Sequence, residues 1–153
     1  MREAYKAQLD DTSYELQEIR KWINADKNKF DSKTRYLVSY SVVKASGTLE
    51  VVFKRIIYDY LTFGVGDKTA TYIEKMILDS SYNPSTGKIS QLLQNISSEW
   101  KIQFDTEVKS SGQKDKNNSL VQLRNDFAHG EAINVSIDTV ITYYDASIEI
   151  LEI

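Results

Sequence analysis

SKTRYLVSYSVVKASGTLEVVFKRIIYDYLT, residues 32–62, reads as one long helix. Asp31 or Ser32 offers a capping oxygen at its start. Leu37, Tyr40, Val43, Leu49, Val52, Phe53, Ile56 and Ile57 wrap around much of its circumference, the pattern of a helix surrounded by others. The small residues Ala45, Ser46, Gly47 and Thr48 at its middle let another helix approach closely. Valine pairs such as Val51-Val52 fall inside the same helical period, so no strand pair is expected.

Working outward, residues 2–27 are rich in Glu, Gln, Lys, Leu and Ile, with Tyr5, Leu9, Leu16, Ile19 and Ile23 as a helical stripe. After the long helix, Phe63-Gly-Val-Gly-Asp is a turn, and Asp67 is placed to cap a short helix over 68–78. Residues 79–87, around the single proline Pro84, form a loop by turn chemistry. Short helices are expected over 89–97 and 100–109, followed by a polar, mobile stretch over 110–118. A helix over 119–129 stops at Gly130. The last helix starts near Ser136, with Ile137, Val140, Ile141, Tyr144, Ile148 and Leu151 on one face. The expectation is an all-α, up-and-down bundle of four to five main helices with short helices inserted. Residues 1–153 are expected to form one domain, and a stripe running to the final residue fits a domain cut from a longer protein.

Composition narrows the chemistry. The chain has no cysteine, which removes disulfides, thiolate catalysis and Cys-based metal sites. Nothing at its start resembles a signal peptide and no stretch is long enough to span a bilayer, so a cytoplasmic location and no membrane partner are expected. Asn-x-Ser sequences at Asn95, Asn117 and Asn134 are accordingly not expected to carry glycans. With 19 basic and 22 acidic residues the net charge is −3, which does not announce a non-specific nucleic-acid binder. A local positive groove still suffices for a nuclease.

Several superficial signals carry little. Gly64-Val-Gly-Asp-Lys-Thr69 lacks the Gly-Lys-Thr adjacency of a phosphate loop and follows no strand. Asp10-Asp11 has no third ligand at metal spacing, so neither a metal nor another cofactor is expected. Tyr36, Tyr40, Tyr58 and Tyr60 fit core positions of the long helix better than base-stacking platforms. Lys109, Lys114 and Lys116 either steer a phosphate backbone or belong to a solvated loop.

The lone histidine, His129, lies in Leu-Arg-Asn-Asp-Phe-Ala-His-Gly, residues 123–130, five positions after Arg124. Five residues turn a helix by about 500°, which leaves the two side chains roughly 140° apart. They converge only if Gly130 ends the helix early or if the long arginine reaches around. The last turn of a helix suits a histidine that exchanges protons near neutral pH. Arg124 offers a permanently charged fork for a phosphate, and Asn125 adds a neutral donor and acceptor. A cationic clamp with a proton shuttle is what RNA scission without a metal needs. One histidine cannot act as base and acid at once, so a symmetric dimer is expected to supply the second. On spacing alone, a plain helix-capping histidine accounts for the same residues.

The octapeptide is similar to the defining motif of the HEPN superfamily, an arginine followed by four to six residues and a histidine. A polar residue, commonly asparagine, follows the arginine there, as Asn125 does here. The helical pattern, with the motif near the C-terminus and one amphipathic helix after it, resembles the RiboL-PSP or MAE_28990-like HEPN groups. The resemblance implies a metal-independent endoribonuclease of toxin or antiphage-defence type, active as a homodimer on tRNA or mRNA, with an antitoxin or defence-system protein as partner. It implies Arg124 and His129 as the catalytic pair and Asn125 as a supporting contact; Glu50, an acid within an apolar helix, is either a weaker candidate for orienting Arg124 or simply a surface residue. The alternative is a catalytically silent domain that binds RNA or protein. Glu131 stands where HEPN toxins controlled by a nucleotidyltransferase carry a modified tyrosine, so that control is not expected; Tyr143 and Tyr144 read as packing residues.

Overall fold

The computed structural model describes residues 1–25, 27–28 and 30–153. Among them the chain forms α1 (Glu3–Asn24), α2 (Lys33–Leu61), α3 (Asp67–Ile77), α4 (Thr86–Ile96), α5 (Ser98–Ser111), α6 (Lys114–Ala128) and α7 (Ile137–Glu152), with no strand. The all-α expectation holds. Helix starts follow hydroxyl chemistry: Ser85, Ser97 and Ser136 accept the backbone N–H of Lys88, Trp100 and Thr139. At α2 the capping oxygen comes from Asp31, whose Oδ1 accepts the Lys33 N–H at 2.8 Å. Gly66, not Asp67, is the N-cap of α3, and Asp67 sits in the first turn, where its charge favours the helix dipole.

Helix α2 buries Val38, Val42, Ala45, Leu49, Val52, Phe53 and Ile57. The first five join α1, α6 and α7 in one apolar cluster with Leu9, Leu16, Leu120, Val140 and Tyr144. Phe53 and Ile57 join Ile89, Phe104, Val108 and Ile150 in a second cluster, built on the α4–α5 pair. The close approach of α1 and α2 falls at small residues, where the Thr12 and Thr48 hydroxyls share a buried hydrogen bond of 2.9 Å. The Tyr144 hydroxyl donates to the Leu9 carbonyl at 3.1 Å, and burial pushes this phenol well above its ordinary range. Each fully buried valine or leucine contributes roughly 1.5–3 kcal/mol against about 1 kcal/mol for a hydrogen bond, so packing sets the stability. Among the described residues, no helix is long and apolar enough to cross a membrane.

Two expectations need correcting. The tyrosines of α2 are not core: Tyr36, Tyr40 and Tyr60 are 66%, 45% and 56% exposed, and Tyr58 is half-buried. Tyr36, Tyr40, Val43, Gly47 and Val51 share one helix face that stays exposed, and summed hydrophobicity cannot distinguish it from the buried faces. The stretch 110–118 is not a mobile loop. It holds the end of α5, a left-handed Gly112 (φ 70°) and the first turn of α6, where Asn117 is buried.

Gly47 is exposed in mid-helix, and a Cβ built there meets nothing within 4 Å. Gly47→Ala should therefore stabilise the fold by about 0.5–1 kcal/mol, through reduced freedom of the unfolded chain. Urea denaturation, read as a higher midpoint at unchanged slope, measures it; a lower midpoint contradicts the open space seen at this position.

Candidate active site

Helix α6 carries the motif. Asn117, Leu120 and Leu123 face inward on successive turns, with Leu120 1% exposed. Arg124 follows them and is half-buried, while His129 lies exposed at the helix end. The chain stops there for a specific reason. The Gly130 N–H donates to the Phe127 carbonyl at 3.0 Å and the Glu131 N–H to the Asp126 carbonyl at 2.9 Å, with Gly130 at φ 85°. This is the Schellman arrangement, which requires a left-handed residue and so favours glycine.

His129 itself still follows the helix, because its N–H donates to the Asn125 carbonyl at 3.0 Å. Gly130 ends the helix after the histidine rather than before it. The roughly 140° divergence from Arg124 therefore stays. Among the described residues, the Arg124 guanidinium and the His129 imidazole have no hydrogen-bond or ion-pair partner. Within one chain, no hydrogen bond among the described residues joins the two groups, and the helix points their Cα–Cβ bonds apart.

Asn125 is the motif residue that shares a face with His129, four positions along. Its Oδ1 accepts a hydrogen bond from Asn83 Nδ2 at 2.7 Å. Asn83 belongs to the connection between α3 and α4, which lies against this side of α6. Asn117 Nδ2 donates to the Pro84 carbonyl at 3.2 Å, and Asn118 Oδ1 accepts from the Thr86 N–H and hydroxyl at 3.0 and 3.2 Å. From α2, Glu50 Oε1 accepts the Tyr82 N–H at 2.8 Å, and Lys54 Nζ reaches both Glu50 and the Ser80 carbonyl. The Tyr82 ring stacks on Phe53 with centroids 5.4 Å apart, and burial pushes its phenol up to about 12.

Glu50 thus does not orient Arg124. Its carboxylate is taken by the loop and by Lys54, because a half-buried acid in an apolar helix needs donors and the nearest is a backbone N–H. Lys109, Lys114 and Lys116 are exposed, yet Lys116 and His129 are about 20 Å apart along the helix axis, so these lysines mark the other end of α6. Asn83 was invisible in sequence, where Asn-Pro reads only as turn chemistry.

Beside the motif, Tyr36, Tyr40 and Val43 of α2 face Phe127 and Ala132 across an open groove of about 520 Å³, with Arg35 and Glu131 at its edge. Tyr40 donates its hydroxyl to Glu15 of α1, which also pairs with Lys44 at 3.0 Å. Those two bonds, Tyr40's first, hold the Glu15 carboxyl below its ordinary value. Among the described residues, no three His, Asp or Glu side chains gather as a metal site would need.

A bundle of this order, with an Arg-Asn pair and a terminal histidine on its sixth helix, is consistent with a HEPN-type domain. The RiboL-PSP-HEPN family model matches residues 10–153, and the chain belongs to that family. Membership carries an RNase-type or RNA-binding character. Comparison with curated proteins and with solved structures returns no match.

Because Gly130 alone can hold its conformation without strain, Gly130→Ala should cost about 1 kcal/mol and fray the last turn of α6. Amide exchange of residues 127–131 should rise while that of α1 and α2 stays unchanged; unaltered exchange at Glu131 contradicts the capping role.

Proposed function

We propose that this chain is a metal-independent endoribonuclease working as a homodimer. The observation that carries the reading is a half-buried guanidinium, Arg124, with no anion beside it among the described residues, on the helix that ends in an exposed histidine. A phosphodiester supplies the missing anion. The ribose 2′-OH attacks the adjacent phosphorus and loses its proton to one imidazole. The P–O5′ bond breaks, and O5′ takes a proton from a second imidazole. The products are a 2′,3′-cyclic phosphate and a 5′-hydroxyl. RNA brings its own nucleophile, so proton carriers and a clamp for the charged phosphoryl oxygens suffice.

Each chain has one histidine, and it diverges from its own Arg124. Both facts support a cleft shared between two copies, with two-fold symmetry doubling each group. The uncovered face of Tyr36, Tyr40, Val43, Gly47 and Val51, together with Phe127, supports a second copy seated beside the motif. A toxin or defence role, a tRNA or mRNA target and a neutralising or sensing partner protein rest on the family alone. The same divergence, with a net charge of −3, also favours a second reading, a silent module that binds RNA or protein.

The test is cleavage of labelled tRNA and mRNA in EDTA. Wild type should yield cyclic-phosphate ends, and Arg124→Ala and His129→Ala should each lose about a hundredfold or more without a change in melting temperature. Activity that appears only with added metal refutes the mechanism; RNA binding without turnover selects the silent module. Val43→Asp should give monomers by sedimentation and lower cleavage, since a charge on the uncovered face spares the core but not an apolar contact. A fully active monomer removes the shared cleft.

A further inference from the structure

We infer that Asn83 is a positioning residue of the active site, which fixes the Asn125 side chain so that its amide NH2, not its carbonyl, faces a bound phosphoryl oxygen. The inference rests on the RNase reading above and adds to it a residue outside the Arg…His motif.

An asparagine amide has a donor end and an acceptor end, and the torsion that exchanges them is soft. Free in solvent, Asn125 would present either end. Here Asn83 Nδ2 donates to Asn125 Oδ1 at 2.7 Å, which turns the acceptor towards the loop. The donor end is bonded to the same carbon and is turned away from the loop. Asn125 and His129 stand four residues apart on one face of α6, so a phosphate held by the imidazole is within the range of that face where the donor end is offered. A phosphoryl oxygen gaining charge there meets an N–H rather than a lone pair.

The hold is only as good as the placement of Asn83, and the loop is fastened on both sides of it. Glu50 takes the Tyr82 N–H and Lys54 the Ser80 carbonyl on the α2 side. Asn117 takes the Pro84 carbonyl and Asn118 the Thr86 N–H on the α6 side. Asn117 is 3% exposed, a buried amide committed to a loop carbonyl. Every residue from Ser80 to Thr86 except Ser81 and Ser85 is thereby bonded to α2 or α6 through its backbone or, for Asn83, its side chain. A supporting shell of this kind keeps a polar group in one orientation before substrate arrives.

The test is a double-mutant cycle on RNA cleavage combined with NMR of the Asn125 side-chain amide. Asn125→Ala should lower kcat about tenfold. Asn83→Ala should lower it by less, because Asn125 is then right part of the time. Asn83→Asp, which can only accept, should turn Asn125 round and lower kcat at least as much as Asn125→Ala. In the Asn125→Ala background both Asn83 substitutions should have no further effect; additive losses, or a loss from the aspartate's charge that persists there, overturn the proposal. The amide signal of Asn125 should shift in Asn83→Ala, and should respond to an uncleavable 2′-deoxy oligonucleotide in wild type but not in Asn83→Asp. Should wild type cleave no RNA, the enzyme reading fails, and this amide response alone decides the positioning: its presence upholds it and its absence refutes it.

Discussion

Helix α2 has to bury apolar side chains in two directions at once, and the rest of the chain is arranged to let it. Its residues from Val38 to Val52 fill the cluster shared with α1, α6 and α7, while Phe53 and Ile57 fill the one built on α4 and α5. A helix of 29 residues, about 44 Å long, is too extended for one set of neighbours to cover. The short α3 and the loop after it return the chain from the far end of α2 to its middle. The loop over 79–85 is a by-product of that return path: its backbone must find hydrogen-bond partners, and α2 and α6 supply them.

The order and type of the helices were readable because they depend on period and punctuation. Ser136 at a helix start and Gly130 at a helix stop act through local backbone geometry, which sequence records directly. Exposure is different, since it depends on which neighbours exist. Tyr36 and Tyr40 repeat with the buried residues of α2 but lie on a face left largely open to solvent. The polar run before the motif misled in the opposite sense. Asn117 looks like loop composition, yet it is a buried helix residue whose amide serves a carbonyl 33 residues away.

The motif itself was legible, and its geometry only in part. The angle between Arg124 and His129 follows from helix parameters and survives in the structure. The pairing of Asn125 with Asn83 spans 42 residues between two amides, a relation that no local rule expresses. Glu50 illustrates the middle case. An acid in an apolar helix signals a need for a partner, but the partner is a backbone N–H, which any residue could have offered.

The glycine cap and the asparagine contacts together turn α6 into a ruler whose length is not negotiable. One residue inserted between Asn118 and Asn125 would rotate everything beyond it by about 100°, separating Asn125 from Asn83 while leaving Asn117 and Asn118 attached to the loop. Past Gly130 the backbone has left the helix, but Ile133 is buried in the core cluster and Val135 packs against it, so a residue added over 131–135 would have to leave Ile133 seated. The glycine therefore separates two kinds of constraint, a helical segment held by register and a short non-helical one held by the buried side chain of Ile133.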